Sequence, residues 1–120
     1  MEFYYDELER DVLILRADGG INADNAGQFV GDLEKLVDAG IRKIIVDCAH
    51  LEYISSYGIG MLMRLHKRLA RHSGDVKFAG VHSAVVRLLQ IARVDSLVDF
   101  YPDVNRARLA FRPPDAAKPH

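Results

Sequence analysis

Two adjacent serines, Ser55 and Ser56, stand directly before Tyr57-Gly58-Ile59-Gly60, at the end of an apolar stretch and the start of a helical pattern. Hydroxyls at such a place have two uses. One of them caps the helix by accepting a free backbone N–H, or one of them accepts a phosphoryl group. A phosphoserine there adds about −1.5 to −2 charge at the positive end of a helix dipole, which favours it by about 0.3–1 kcal/mol. Burying the same charge against a partner that lacks counter-charges costs several kcal/mol. Modification at this junction therefore switches an interface rather than unfolding the domain. The two glycines weaken a first helical turn by roughly 0.5–1 kcal/mol each relative to alanine. Either another backbone comes close, or the turn packs tightly on a neighbouring strand.

Little other chemistry is written in the side chains. No Gly-x-x-x-x-Gly-Lys-Ser/Thr loop, Gly-x-Gly-x-x-Gly turn or Gly-x-Ser-x-Gly elbow occurs. The five histidines, His50, His66, His72, His82 and His120, have no metal-ligand spacing. The single cysteine, Cys48, ends an apolar run, where a thiol acts as a small hydrophobe, and no base is placed to activate it. We expect no enzyme, no metal and no cofactor. Arg64, Lys67, Arg68 and Arg71 recur at helical spacing. They read as a solvated face near a helix C-terminus, with a contact strip for an acidic partner, or more weakly for nucleic acid, as the alternative.

The elements that must hold the serines follow from hydrophobic period. Val12–Leu15 is an apolar strand after the aromatic Phe3-Tyr4-Tyr5, and Asp18-Gly19-Gly20 reads as the turn that stops it. Asn22–Asn25 supplies cap-forming residues for a helix with apolar positions at Ala26, Phe29, Val30, Leu33, Leu36 and Val37, closed by Gly40. Lys43–Cys48 is a buried strand, followed by a short loop and a helix from about Ser56 to His72 that Gly74 ends. Val76–Val81 is a strand, Ser83 caps a helix over Ala84–Ala92 with Val85, Val86, Leu88, Leu89 and Ile91 as core, Leu97–Tyr101 is a last strand, and Asp103 starts a final helix. Helices alternating with strands predict a single α/β domain over residues 1–111 with a mostly parallel or mixed central sheet. The Pro-rich 112–120 reads as a disordered tail.

Tyr53-Ile54-Ser55-Ser56-Tyr57-Gly58-Ile59-Gly60 resembles the signature of STAS domains of the anti-sigma factor antagonist type, in which an aromatic and an aliphatic precede Asp-Ser-Ser-Gly-Leu-Gly. The likeness extends over about residues 3–110, including Ile-Asn-Ala-Asp-Asn-Ala (21–26), Ile-Ile-Val-Asp (44–47) and the turn into the third helix (80–89). It implies a partner switch. The unphosphorylated protein binds an anti-sigma factor that is also a serine kinase of ATP-binding fold, phosphorylation ends the interaction, and a serine phosphatase resets it. Aligned on Gly58 and Gly60, the phosphoacceptor falls on Ser56, with Ser55 second, and Asp24 matches an acidic position near the same surface. The partner-binding set is thus Asp24, Ser55, Ser56, Tyr57, Gly58 and Gly60. Two positions depart from the signature: its Asp is Ser55 here, and its second Ser is Tyr57, either an interface anchor or a cover for the helix start.

Composition bounds these readings. The 120 residues are 49% hydrophobic and 28% charged, as in one ordinary globular domain. Sixteen Lys plus Arg against seventeen Asp plus Glu give a net charge of −1, with no global basic excess to hold nucleic acid. Neither a membrane-spanning run nor a signal peptide is present in the sequence, so a cytoplasmic protein is expected. Two rivals stay open: a STAS scaffold or subunit of a larger signalling or membrane-associated complex that is never phosphorylated, and a small module binding an anionic ligand at helix N-termini. A weak homodimer through apolar residues of the third helix stays open as well.

Overall fold

The structure, a computed structural model, describes residues 2–111. The expected tail over 112–120 lies outside them. The chain runs β1 (Glu2–Tyr5), β2 (Val12–Ile21), α1 (Ala26–Asp38), β3 (Lys43–Ile54), α2 (Ser56–Ala70), β4 (Asp75–Ala79), α3 (Ser83–Ile91), a 3-10 turn (Asp95–Leu97), β5 (Asp99–Tyr101) and α4 (Val104–Ala110). The five strands form one sheet in sequence order, with β1 antiparallel to β2 and every other pair parallel. This is the expected α/β domain with a mixed sheet.

Period-two alternation divides the core between the two faces of the sheet. Leu13, Leu15, Ile44, Val46, Val76 and Phe78 point to the face covered by α1, α2 and α3. Val12, Ile14, Ile45 and Ala79 point to the other, where Ala107 of α4 packs. Three parallel crossovers, each moving one strand over, bring the starts of α1 and α2 to the C-terminal ends of the paired strands β2 and β3.

Several boundaries differ from expectation. Asp18-Gly19-Gly20 does not stop β2: Gly19 takes φ +71° within a register shift, and the strand continues to Ile21 because β3 keeps offering ladder partners. For the same reason β3 runs on through residues 49–54, where a loop was expected. Gly74 does not end α2 by a left-handed turn. Ser73 adopts φ +60°, and Gly74 is needed because a Cβ would lie 2.6 Å from the Arg42 carbonyl oxygen. Ser83 is the first residue of α3 rather than its cap, a place taken by His82 without a side-chain cap bond. The expected strand over 97–101 shortens to Asp99–Tyr101, because Asp95–Leu97 closes into a 3-10 turn. Of the residues expected in the core, Val85 and Leu89 are buried, Val86 and Leu88 are half-buried, and Ile91 at the last position of the helix is exposed because it turns away from the face that Val85 and Leu89 present. Asp103 does cap α4, accepting from the Arg106 amide at 2.8 Å.

One buried ion pair fastens α4 to the turn after β1. The Asp6 carboxylate is 2% exposed and accepts from the Leu8 and Glu9 amides at 2.8 Å and from Arg108 at 2.6 and 2.9 Å. Burial opposes its charge, yet the Arg108 guanidinium and the two amides hold its pKa below the ordinary aspartate value. A depressed folded-state pKa contributes stability above the unfolded pKa of about 4 and loses it as pH falls through the folded value. Asp6→Asn is therefore expected to lower stability by about 3 kcal/mol at pH 7. Thermal melts at descending pH should show the gap between wild type and variant narrowing below about pH 4.

Candidate functional site

The junction between β3 and α2 is built on the end of β2. The Ser55 amide donates to the Ile21 carbonyl at 2.8 Å, continuing the ladder in which Ile21 faces Ile54. The chain then turns into α2 so close to β2 that a Cβ on Gly58 would lie 2.7 Å from Ile21 Cγ2 and 2.9 Å from the Ile21 carbonyl oxygen. Of the two explanations for the glycines, close backbone approach accounts for Gly58. It does not account for Gly60, where an added Cβ would meet nothing within 4 Å.

The two serines separate cleanly. Ser55 is the N-cap, with its Oγ accepting from the Gly58 amide at 3.0 Å. Ser56 is the first helical residue and is exposed, and its hydroxyl has no hydrogen-bond partner among the described residues. One hydroxyl is committed to the fold while its neighbour faces solvent at the positive end of a helix of 15 residues.

Tyr57 is 44% exposed and reaches across to α1, where its hydroxyl would lie 3.2 Å from a Cβ on Gly27. The missing side chain of Gly27 gives the tyrosine its place, a partnership that the polar sequence around Gly27 does not announce. Tyr53 is exposed as well, so two aromatic rings bracket the serines along the chain. Asp24 is exposed in the turn between β2 and α1. That turn is braced by asparagines: Asn25 Nδ2 donates to the Gly20 carbonyl at 2.8 Å, and Asn22 and Asp24 amides donate to the Asn25 and Asn22 side chains. Asp24, Ser55, Ser56, Tyr57 and Gly58 thus lie at one end of the sheet, and Gly60 stands one turn further along α2.

The basic residues of α2 are not simply a solvated face. Arg64 bonds both Glu34 oxygens, at 3.0 and 3.1 Å, while Arg68 holds Asp38 through both carboxylate oxygens and lies 3.5 Å from Glu34. The hydrogen bond from Arg68 keeps the Asp38 pKa below its ordinary value. Glu34/Asp38 and Arg64/Arg68 are each spaced by four, a signal in the sequence that could have paired the two helices. Cys48 is buried, and desolvation pushes its thiol up to about 12, so it holds no thiolate nucleophile. Among the described residues no group of three His, Cys, Asp or Glu side chains gathers as metal ligands, and no helix is long and apolar enough to cross a membrane.

The chain matches the STAS domain over residues 6–107. A curated protein of Bordetella bronchiseptica named "Putative anti-sigma factor antagonist BtrV" is 28% identical over 101 residues, covering 84% of this chain and 87% of that one. The crystal structure of a "putative anti-sigma factor antagonist" from Thermotoga maritima superposes with a TM-score of 0.84 at 22% identity, over 93% of this chain and 94% of that one. The phosphorylated form of the Bacillus cell fate determinant SpoIIAA shares the fold with a TM-score of 0.73 at 15% identity, over 92% and 100% of the two chains. The chain belongs to the STAS-domain family.

The first turn of α2 generates a graded mutational series. Ser55→Ala should lower stability by about 1 kcal/mol through the lost cap, whereas Ser56→Ala should leave it within about 0.5 kcal/mol. Gly58→Ala forces the β2 end apart and should cost more than either, about 2 kcal/mol. Gly60→Ala should raise stability by about 0.5–1 kcal/mol. Thermal melts of the four variants check the order.

Proposed function

We propose that this STAS-domain protein is an anti-sigma factor antagonist whose binding to an anti-sigma factor, itself a serine kinase of ATP-binding fold, is ended by phosphorylation of Ser56. The observation that carries the reading is the division between the serines. Ser56 projects its unbonded hydroxyl from the first turn of α2, while Ser55 is occupied with the cap. A kinase reaches the first without disturbing the fold. A helix N-terminus accepts the added charge, and a partner seated over it without counter-charges is expelled. The names of the relatives, and the phosphorylated state of SpoIIAA, agree in kind with such a switch.

Asp24, Tyr57 and Gly60 complete the proposed docking surface, with Tyr57 over Gly27 as an aromatic contact beside the acceptor, whereas Gly58 is buried against Ile21 and serves by positioning the turn. A serine phosphatase resets the switch, and the exchange takes place in the cytoplasm.

Capture from native cell lysate with wild type, Ser56→Asp and Ser55→Asp baits tests the switch. Asp is itself a good N-cap, so Ser55→Asp keeps the helix start intact. We expect an ATPase-kinase to be held by wild type and by Ser55→Asp, and to fall at least about tenfold with Ser56→Asp. Equal capture by all three baits would overturn the switch and favour a constitutive scaffold.

A further inference from the structure

The outward side of α2 carries more than its Ser56 end. Ser56, Gly60, Met63, Arg64, Lys67 and Arg71 recur at steps of three and four from the start of the helix to its C-cap, and so form one stripe. The stripe spans roughly 22 Å at about 1.5 Å per residue. A groove of about 500 Å³ opens along it, with Glu34 on its α1 side. Arg64, Lys67, Arg68 and Arg71 bring four positive charges there, and Glu34 and Asp38 return two negative ones, a local excess of two on a chain of net charge −1. Arg64 remains 61% exposed despite its pairing, and Lys67 and Arg71 are exposed with no ion-pair partner among the described residues. Gly60 lies midway between the serine and this cationic end. The fold does not require a glycine there, and its bare backbone leaves room for another chain.

We propose that the protein partner docks an acidic segment along this stripe, its backbone crossing Gly60 and its carboxylates meeting Arg64, Lys67 and Arg71. The inference rests on the partner-switching reading for the role of Ser56 at the end of the stripe. It adds the partner's chemistry and the means of release. A phosphoryl group on Ser56 places negative charge at one end of the surface that attracts a negative segment, so attraction and expulsion act on the same line of contacts. Nucleic acid fits the stripe less well, since none of the groove's side chains is an aromatic on which bases could stack.

Titration of the isotope-labelled full chain with a ten-residue oligoglutamate peptide, followed by amide chemical shifts, tests the docking stripe. Inorganic phosphate and a single-stranded oligonucleotide of equal charge serve as comparison ligands. Shifts should concentrate at Gly60, Met63, Arg64, Lys67 and Arg71 and weaken as salt rises. The double variant Lys67→Glu/Arg71→Glu should lose affinity about tenfold or more while still unfolding cooperatively, with a melt only a few degrees lower because both cations suit the C-terminal end of the helix dipole. Ser56→Asp should weaken the peptide severalfold. Shifts scattered over other faces, shifts that survive the double reversal, or equal affinity for phosphate or the oligonucleotide would each overturn the proposal. Peptide binding to the stripe that ignores Ser56→Asp upholds the acidic segment and overturns its release through Ser56.

Discussion

The structure turns on how closely α2 passes the end of β2. The Ser55 amide bonds the Ile21 carbonyl at 2.8 Å, and only a residue without a side chain fits at Gly58, against that same carbonyl. This contact sets where the helix begins and how it is rotated. With the rotation set, Ser55 must turn inward, where its hydroxyl satisfies the Gly58 amide, and Ser56 must turn outward. The chemistry of two identical side chains is thus decided by a backbone contact three residues away. A larger residue at Gly58 would blur the distinction by re-aiming the first turn, whatever happened to the serines themselves.

Around that contact the charges divide into structural and available sets. Asp6 and Arg108 are consumed in fastening α4 to the far face of the sheet, and Asp38 and Arg68 in joining α1 to α2. Glu34, 8% exposed at its side chain, is balanced by Arg64 and Arg68. Those pairs join the two helices that frame the junction, and Tyr57 reaches from one to the other beside Gly27. Lys67 and Arg71 stand outside the bookkeeping, and they lie on the same side of α2 as Ser56 and Gly60.

Much of this was legible in the sequence. The apolar steps in Ala26–Val37 and the alternation of helix and strand yielded the α/β order, and Ser55-Ser56 before two glycines marked the junction. What stayed hidden was non-local. Asp18-Gly19-Gly20 looks like a turn because glycine and aspartate break isolated strands, yet a parallel neighbour carries β2 through it on a bulge. Which serine caps the helix depends on rotation about α2, which is set by Ile21, more than thirty residues away in the sequence. Gly58 and Gly60 are the same residue type in the same turn, and only the packing separates one required by the fold from one that it leaves bare. The pairing of Arg64 and Arg68 with α1 was written in two matching spacings, but a spacing shows which helix face a charge takes and not what stands opposite.

The fold ties up the hydroxyl of Ser55 and leaves that of Ser56 exposed, which is why Ser56 is the proposed phosphoacceptor. Phosphopeptide mapping of the chain isolated from its own cells, across growth and stress conditions with phosphatases inhibited, tests that assignment most directly. The account predicts phosphate on Ser56, with Ser55 unmodified because its hydroxyl is held by the Gly58 amide at 3.0 Å. Phosphate on Ser55, or none at either serine while the relevant kinase is active, would contradict it.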